Sequence, residues 1–278
     1  MYEKRFSRFP VIVVTYVIFV VTCIVVLYPL VWMLYTSLKP QWEIFVNPFS
    51  LPSKLSLSNY GKAWGRGQFG RAFANSMIVT IPSVAGIVFF SSLAGYAFGR
   101  FRFKGDRIVF LLFLAGMIVP VQTIIIPSFQ VVKRLGLLNT YFALIFTYFS
   151  WGQVGILILT AFFAGLPHEL TDAARIDGCN EFQIYGRIAL SLAKPAIATV
   201  AIFYFVWVWN SFLYPLIYVT EEEMNTIPLS LMMFRGMFSV DWGSQCAALS
   251  IATVPAVVVY LIFQDKFVRG LSAGALKG

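Results

Sequence analysis

Charged side chains divide this chain into long uncharged runs. Between flanking charges lie residues 9–38, 72–99, 108–132, 135–167, 195–220 and 242–264, each at least 23 long, and no other such interval exceeds 11. A helix needs about 20 apolar residues to cross a bilayer. The pattern therefore predicts six spanning helices, over about 11–34, 73–98, 108–131, 141–165, 196–218 and 246–267. The expected fold class is an all-α membrane protein forming a single transmembrane domain over residues 1–278. The first run is too long for a signal-peptide core and no small-residue cleavage site follows it, so it should remain as a helix.

Prolines punctuate most of the spans, at Pro29, Pro82, Pro120, Pro127, Pro215 and Pro255. Each removes a backbone donor, and the freed carbonyl must be satisfied by a neighbouring helix or by water in a cavity. Packing kinks would suffice for any one of them; their number favours a bundle that moves. The third span, with Pro120 and Pro127, is expected to be kinked or broken. The segment from Ser37 to Gly67, with Pro40, Pro48 and Pro52, reads as an irregular loop on the membrane face.

One polar stretch interrupts the lipid-soluble pattern. Residues 166–195, LPHELTDAARIDGCNEFQIYGRIALSLAKP, hold four of the chain's twelve carboxylates: Glu169, Asp172, Asp177 and Glu181. Thr171 and Asp172 are placed to cap a short helix, Ala173, Ala174 and Ile176 to give it an apolar face, and Gly178 to end it. Asn180 then caps a second helix with Phe182, Ile184, Tyr185 and Ile188 on its apolar side. Such a knob can rest on lipid headgroups or dock a partner. Surface-lying helices are usually rich in Lys and Arg, whereas residues 168–186 hold four acids and one arginine. An anionic leaflet repels that composition, so docking is the better reading, with Phe182 and Tyr185 as anchors.

Hydrophobic residues make up 59% of the chain and charged residues 12%, against roughly 25% charged in a soluble domain. With the N-terminus placed in the cytoplasm, 13 of the 21 basic residues fall on inside segments, the short loop GRFRFKGDR among them. The net charge of +9 is thus read as an orientation signal, and nucleic-acid binding is not expected. Both termini should then be cytoplasmic. Cys23, Cys179 and Cys246 are too scattered for a disulfide framework or a metal site. The single histidine, His168, has no obvious metal partners, so no catalytic, cofactor or metal site is expected.

The segment Asp172-Ala173-Ala174-Arg175-Ile176-Asp177-Gly178 resembles the EAA loop of permease subunits of binding-protein-dependent ABC importers. VWVWNSFLYPLI (206–217), NTIPLSL (225–231), IIIPSFQVVKRLGLLNTYFALI (124–145) and the tail FVRGLSAGALKG (267–278) extend the resemblance to the carbohydrate branch, specifically the maltose-type second permease. Two positions depart from the family pattern: Asp172 replaces its leading glutamate, and Ser191 its downstream proline.

The resemblance implies the type I importer permease architecture, in a bacterial or archaeal inner membrane. It implies a homologous second permease, two ATPase subunits that hold the ATP and Mg, and an extracytoplasmic binding protein that delivers a carbohydrate. The chain has no GxxxxGK[ST] loop of its own. Coupling to the ATPases would fall to Glu169, Asp172, Ala173, Ala174, Arg175, Asp177, Gly178, Phe182 and Tyr185. The tail, through Gly270, Gly274 and Lys277, would make a second contact; an ordinary frayed terminus is the alternative.

For the solute path the candidates are Gln122, Trp151, Gln153, Trp207, Asn210 and Tyr214, polar or aromatic residues read as lying within the spans. Aromatic faces stack on sugar rings and amides bond hydroxyls, although buried amides can equally serve as interhelical glue worth about 1 kcal/mol. Glycerol-3-phosphate or a glycosyl-phosphodiester is the alternative cargo. A secondary transporter is a distant alternative, since no charge lies deep in a span to relay protons or sodium.

Overall fold

The computed structural model describes residues 9–66, 68–234 and 241–275. Among these there is no strand; helices account for nearly all of the regular structure. Two compact units form. One comprises the residues up to Phe69 together with Leu231–Thr253, the other Gly70–Ser230 together with the residues from Val254 onward.

In the first unit, α1 (Phe9–Ser37) is one uninterrupted helix through Pro29, and its apolar window is wholly exposed. The following segment is more ordered than its prolines predict. It contains α2 (Gln41–Val46) and α3 (Ser58–Arg66), and it is organised around buried charge. Lys39 is fully buried and donates to the Asn47 carbonyl at 2.9 Å, the Pro48 carbonyl at 3.4 Å and Ser50 Oγ at 3.3 Å. Glu43, also buried, accepts from the Ser53 N–H and hydroxyl at 2.8 and 3.0 Å. Asn59 closes the loop by donating to the Ser37 and Lys39 carbonyls. Charges removed from water need such partners, and here backbone carbonyls and hydroxyls supply them.

In the second unit, α4 (Phe69–Arg100) is a single long helix, and α13 (Ile227–Ser230) is a short one; α14 (Trp242–Ala275) is also unbroken, its residues to Thr253 counted in the first unit and those from Val254 in the second. The expected sixth span, ending near 267, thus continues to Ala275. The other three expected spans are each broken. Asp106–Ile118, which begins with α5 (Asp106–Ala115), turns by 101° into α6 (Val121–Arg134) at Pro120; Pro127 is accommodated inside α6. The fourth span divides into α7 (Tyr141–Phe149) and α8 (Gln153–Ala164), bent by 42°. Gly152 is a poor helix former, and the Ser150 hydroxyl bonds back to the Thr147 carbonyl at 2.7 Å. The fifth was expected as one helix over 196–218. It stops instead at Trp209 in α11 (Lys194–Trp209) and resumes as α12 (Leu213–Tyr218). A proline ring clashes with the carbonyl four residues back, so Pro215 disfavours helix through Ser211. By length and composition, three helices can cross a membrane alone; up to six crossings are reached if the bent pairs α5 with α6, α7 with α8, and Glu181–Leu192 with α11 (bent by 75°) each count as one.

Small residues let α4 and α8 approach closely. A Cβ on Gly95 would lie 2.7 Å from Leu159 Cβ, and one on Gly99 2.9 Å from the Ala164 nitrogen and the Thr160 oxygen. The Gly95-x-x-x-Gly99 spacing puts both on one face, the arrangement that brings membrane helices into backbone contact. Around this crossing a core of Leu144, Tyr148, Leu159, Phe163, Val200 and Tyr204 is closed to solvent.

A candidate coupling knob and a cleft at the helix breaks

The polar stretch folds as two helices joined at a glycine. α9 (His168–Ile176) begins after Pro167, and no side chain caps it. Thr171 and Asp172, expected as caps, lie within the helix. Pro167 presets the chain direction, which moves the helix start several residues earlier. The C-terminus is a Schellman motif: the Cys179 N–H donates to the Ala174 carbonyl at 2.9 Å and the Gly178 N–H to the Arg175 carbonyl at 3.0 Å. Gly178 sits at φ +84°, which L side chains seldom adopt.

Asn180 then opens α10 (Glu181–Leu192) with a reciprocal capping box: Asn180 Oδ1 accepts from the Gln183 N–H, and Gln183 Oε1 accepts from the Asn180 N–H, both at 2.9 Å. The run is α-helical at each end and π-helical over Ile184–Ala189. Arg175 stitches the two helices across the turn, donating from Nη1 to Asp172 and from Nε to Glu181, each at 2.9 Å. The Glu181 carboxylate, followed by Asp172, holds the Arg175 guanidinium above its ordinary pKa. It stays charged at any pH the protein meets.

Two side chains fasten the knob to the end of α4. Arg100 donates to the Leu166 carbonyl at 2.8 Å and to Thr171 Oγ1 at 2.7 Å. The Tyr185 hydroxyl meets Ser92 Oγ at 2.6 Å, and its ring packs on Tyr96 with centroids 5.1 Å apart. Tyr185 and the buried Ala174 therefore face inward. Glu169, Asp172, Ala173, Arg175, Asp177, Gly178 and Phe182 remain exposed. Two large apolar side chains stand out from the surface, Phe182 at 84% exposure and Ile176 at 87%.

A cleft of about 180 Å³ lies where the broken spans meet. Met117 and Val121 flank the break in the third, Trp151 and Gln153 that in the fourth, and Trp207 occupies the last turn of α11. The Trp151 indole N–H donates to the Tyr214 hydroxyl at 3.0 Å, and the Trp151 and Trp207 rings lie 5.8 Å apart. Gln153 uses its amide locally, donating to the Ser150 carbonyl at 2.8 Å. Asn210 is exposed and ends α11, donating to the Val206 carbonyl at 2.8 Å. Gln122 is exposed beside the cleft-lining Val121.

Residues 88–273, which contain the knob and all three broken spans, match the model of the family described as the binding-protein-dependent transport system inner membrane component. The chain belongs to that family. Its relatives include the probable ABC transporter permease YurM of Bacillus subtilis, 36% identical over 92% of this chain and 85% of the relative. The diacetylchitobiose uptake permease NgcG of Streptomyces coelicolor is 32% identical over 99% and 90%. The sulfoquinovosyl glycerol permease SmoH of Agrobacterium fabrum is 34% identical over 91% and 89%. The fold matches that of a bacterial ABC transporter involved in import of the acidic polysaccharide alginate, with a TM-score of 0.84 over 94% of this chain and 98% of the other, at 23% identity.

Membership makes this chain a membrane-embedded transport component. Within it, the structure gathers the candidate coupling residues into one knob, and Trp151, Gln153, Trp207 and Tyr214 into one neighbourhood. Gln122 and Asn210 stand at helix breaks outside the cleft lining. Gly270 and Gly274 lie within α14, and Lys277 lies outside the described residues. Sequence reasoning passed over two residues. Ile176, read only as part of a small apolar face with Ala173 and Ala174, is among the most exposed side chains. Arg100 was counted only as an orientation charge; its place immediately after Gly99, on the helix that meets α8, was the available signal.

Proposed function

We propose that this chain is the permease subunit of an ATP-driven importer that translocates a sugar or oligosaccharide by alternating access. In this reading the chain crosses the membrane six times with both termini in the cytoplasm. A homologous second permease completes the pore, and an extracytoplasmic binding protein delivers the solute. Two partner ATPases hold the ATP and Mg, and the chain itself performs no catalysis. The observation that carries the reading is the knob. An exposed apolar pair, Ile176 and Phe182, stands on a unit held to α4 by Arg100 and Tyr185. A push on Ile176 and Phe182 passes into α4 through short polar contacts, as rigid-body gating requires.

Neutral carbohydrate suits the cleft, whose lining offers indole and phenol faces, an amide and no cation. The relationship to the sulfoquinovosyl glycerol permease favours an anionic glycoside as the second reading. The family's dependence on delivered solute weighs against a secondary transporter. The test is ATP-dependent uptake with the Ile176→Glu/Phe182→Glu variant in the complete transporter. The variant should remain in the membrane, lose co-purification of the ATPase and lose uptake. Retention of both would overturn the coupling role.

A further inference from the structure

Another concavity lies apart from the knob and the helix-break cleft, at the charged junction between α4 and α5. It measures about 420 Å³ and is lined by Phe98, Arg102, Asp106, Arg107, Phe110 and Thr160. Its position is set by the hydropathy pattern: the uncharged run 72–99 ends here and the run 108–132 begins. The site therefore sits where apolar helix gives way to polar surface.

The lining has two chemistries. Two guanidinium groups face one carboxylate, leaving one positive charge in excess. The Arg102–Asp106 pair is loose, at 3.7 Å, with the arginine side chain 90% exposed. Asp106 is already engaged by the Arg107 backbone N–H at 2.6 Å. The arginine forks thus retain donors that no protein carboxylate occupies fully. Thr160 Oγ1 is buried and has no hydrogen-bond partner, and a buried hydroxyl in that state is destabilising until something bonds to it. The other wall is aromatic, with Phe98 edge-on to Phe110 at 5.3 Å and to Phe113 at 5.9 Å. Ile108, Leu111 and Leu112 then continue an exposed apolar face along α5.

We propose that this cleft holds the phosphate of an anionic phospholipid, with its acyl chains along the exposed face of α5. Arginine forks match phosphate oxygens two at a time, and basic pockets at helix ends hold lipid headgroups in this way. The apolar wall and the interfacial position select a lipid over a free anion, which would gain nothing from either.

The proposal is tested by native mass spectrometry of the full-length protein released from detergent, with phosphatidylglycerol, phosphatidylcholine and inorganic phosphate as probes. Phosphatidylglycerol adducts should survive activation that strips phosphatidylcholine, and excess inorganic phosphate should leave them in place. Arg102→Gln and Arg107→Gln should each lower occupancy about fivefold, the effect of about 1 kcal/mol per basic residue. Lys104→Gln removes the same charge outside the cleft and should leave occupancy unchanged. Arg107→Lys, which keeps the charge but loses the fork, should fall between wild type and Arg107→Gln. Both arginines are exposed, so the single variants should fold, and an unchanged melting temperature checks this. Equal retention of phosphatidylcholine, displacement by inorganic phosphate, or a Lys104→Gln loss equal to the arginine losses would each overturn the assignment.

Discussion

Gly178 has open space around its Cα but a backbone that only glycine adopts easily. The two facts separate volume from conformation. Gly178→Ala adds a small group that meets nothing, yet should cost about 1–2 kcal/mol in the left-handed conformation. Asn tolerates that conformation better and should cost less. Gly178→Arg adds bulk to the same strain beside Phe182 and Ile176. The expected order of ATP-dependent uptake is wild type, Asn, Ala, Arg, with all four equally abundant in the membrane. Equal uptake by the Arg variant would separate the turn from coupling. Gly178 and the Asn180 cap were legible in the sequence because cap and turn chemistry is local. The orientation of Ile176 and Tyr185 was not, since which side of α9 and α10 faces α4 is decided by Arg100, Ser92 and Tyr96, more than 70 residues upstream.

At the scale of elements, hydropathy located every apolar run but not where each one breaks. Apolar content reports the environment, and the backbone follows turn chemistry and neighbours. Pro120 announced its break. The break at Ser150–Gly152 had only a weak local signal, and that at Asn210–Phe212 rested on Pro215. Polar side chains collect at these discontinuities for a physical reason: irregular backbone at membrane depth survives only where protein or a water-filled cavity satisfies it. The α4–α8 crossing yields a sharper expectation. Gly99→Val would force side-chain atoms against the α8 backbone, and such overpacking typically costs about 1–3 kcal/mol. The variant's melting temperature in detergent should fall, while Gly186→Ala, which meets nothing, should leave it unchanged. Equal melting of all three proteins would remove the close approach from the account.

At the scale of the molecule, knob and cleft belong to the same unit and make different demands. The knob is polar, exposed and stitched by ion pairs; the cleft is aromatic and enclosed by broken helices. Their variants should therefore separate in function. Trp207→Ala should raise the solute concentration needed for half-maximal uptake and leave ATPase co-purification intact. Arg100→Ala should leave that concentration unchanged and lower maximal uptake, since it loosens the link between knob and α4. A parallel loss in both measurements for either variant would show that drive and cargo are not separable in this chain. The family was readable because the knob's sequence is short and contiguous. The cargo was not, because the cleft is assembled from three distant breaks.

The π-helical stretch Ile184–Ala189 makes the knob sensitive to chain length as well as to composition. A π-turn holds one more residue than the α-turn it replaces. Deleting Gly186, which is exposed and has no side chain to lose, would let this stretch relax to α-helix and rotate everything before it by about 100° about the helix axis. Arg175, Phe182 and the glycine turn would all be present, aimed at the wrong place. Register within a single helix is thus the alignment tolerance of the proposed coupling: a one-residue deletion should abolish ATP-dependent uptake with every candidate contact residue retained.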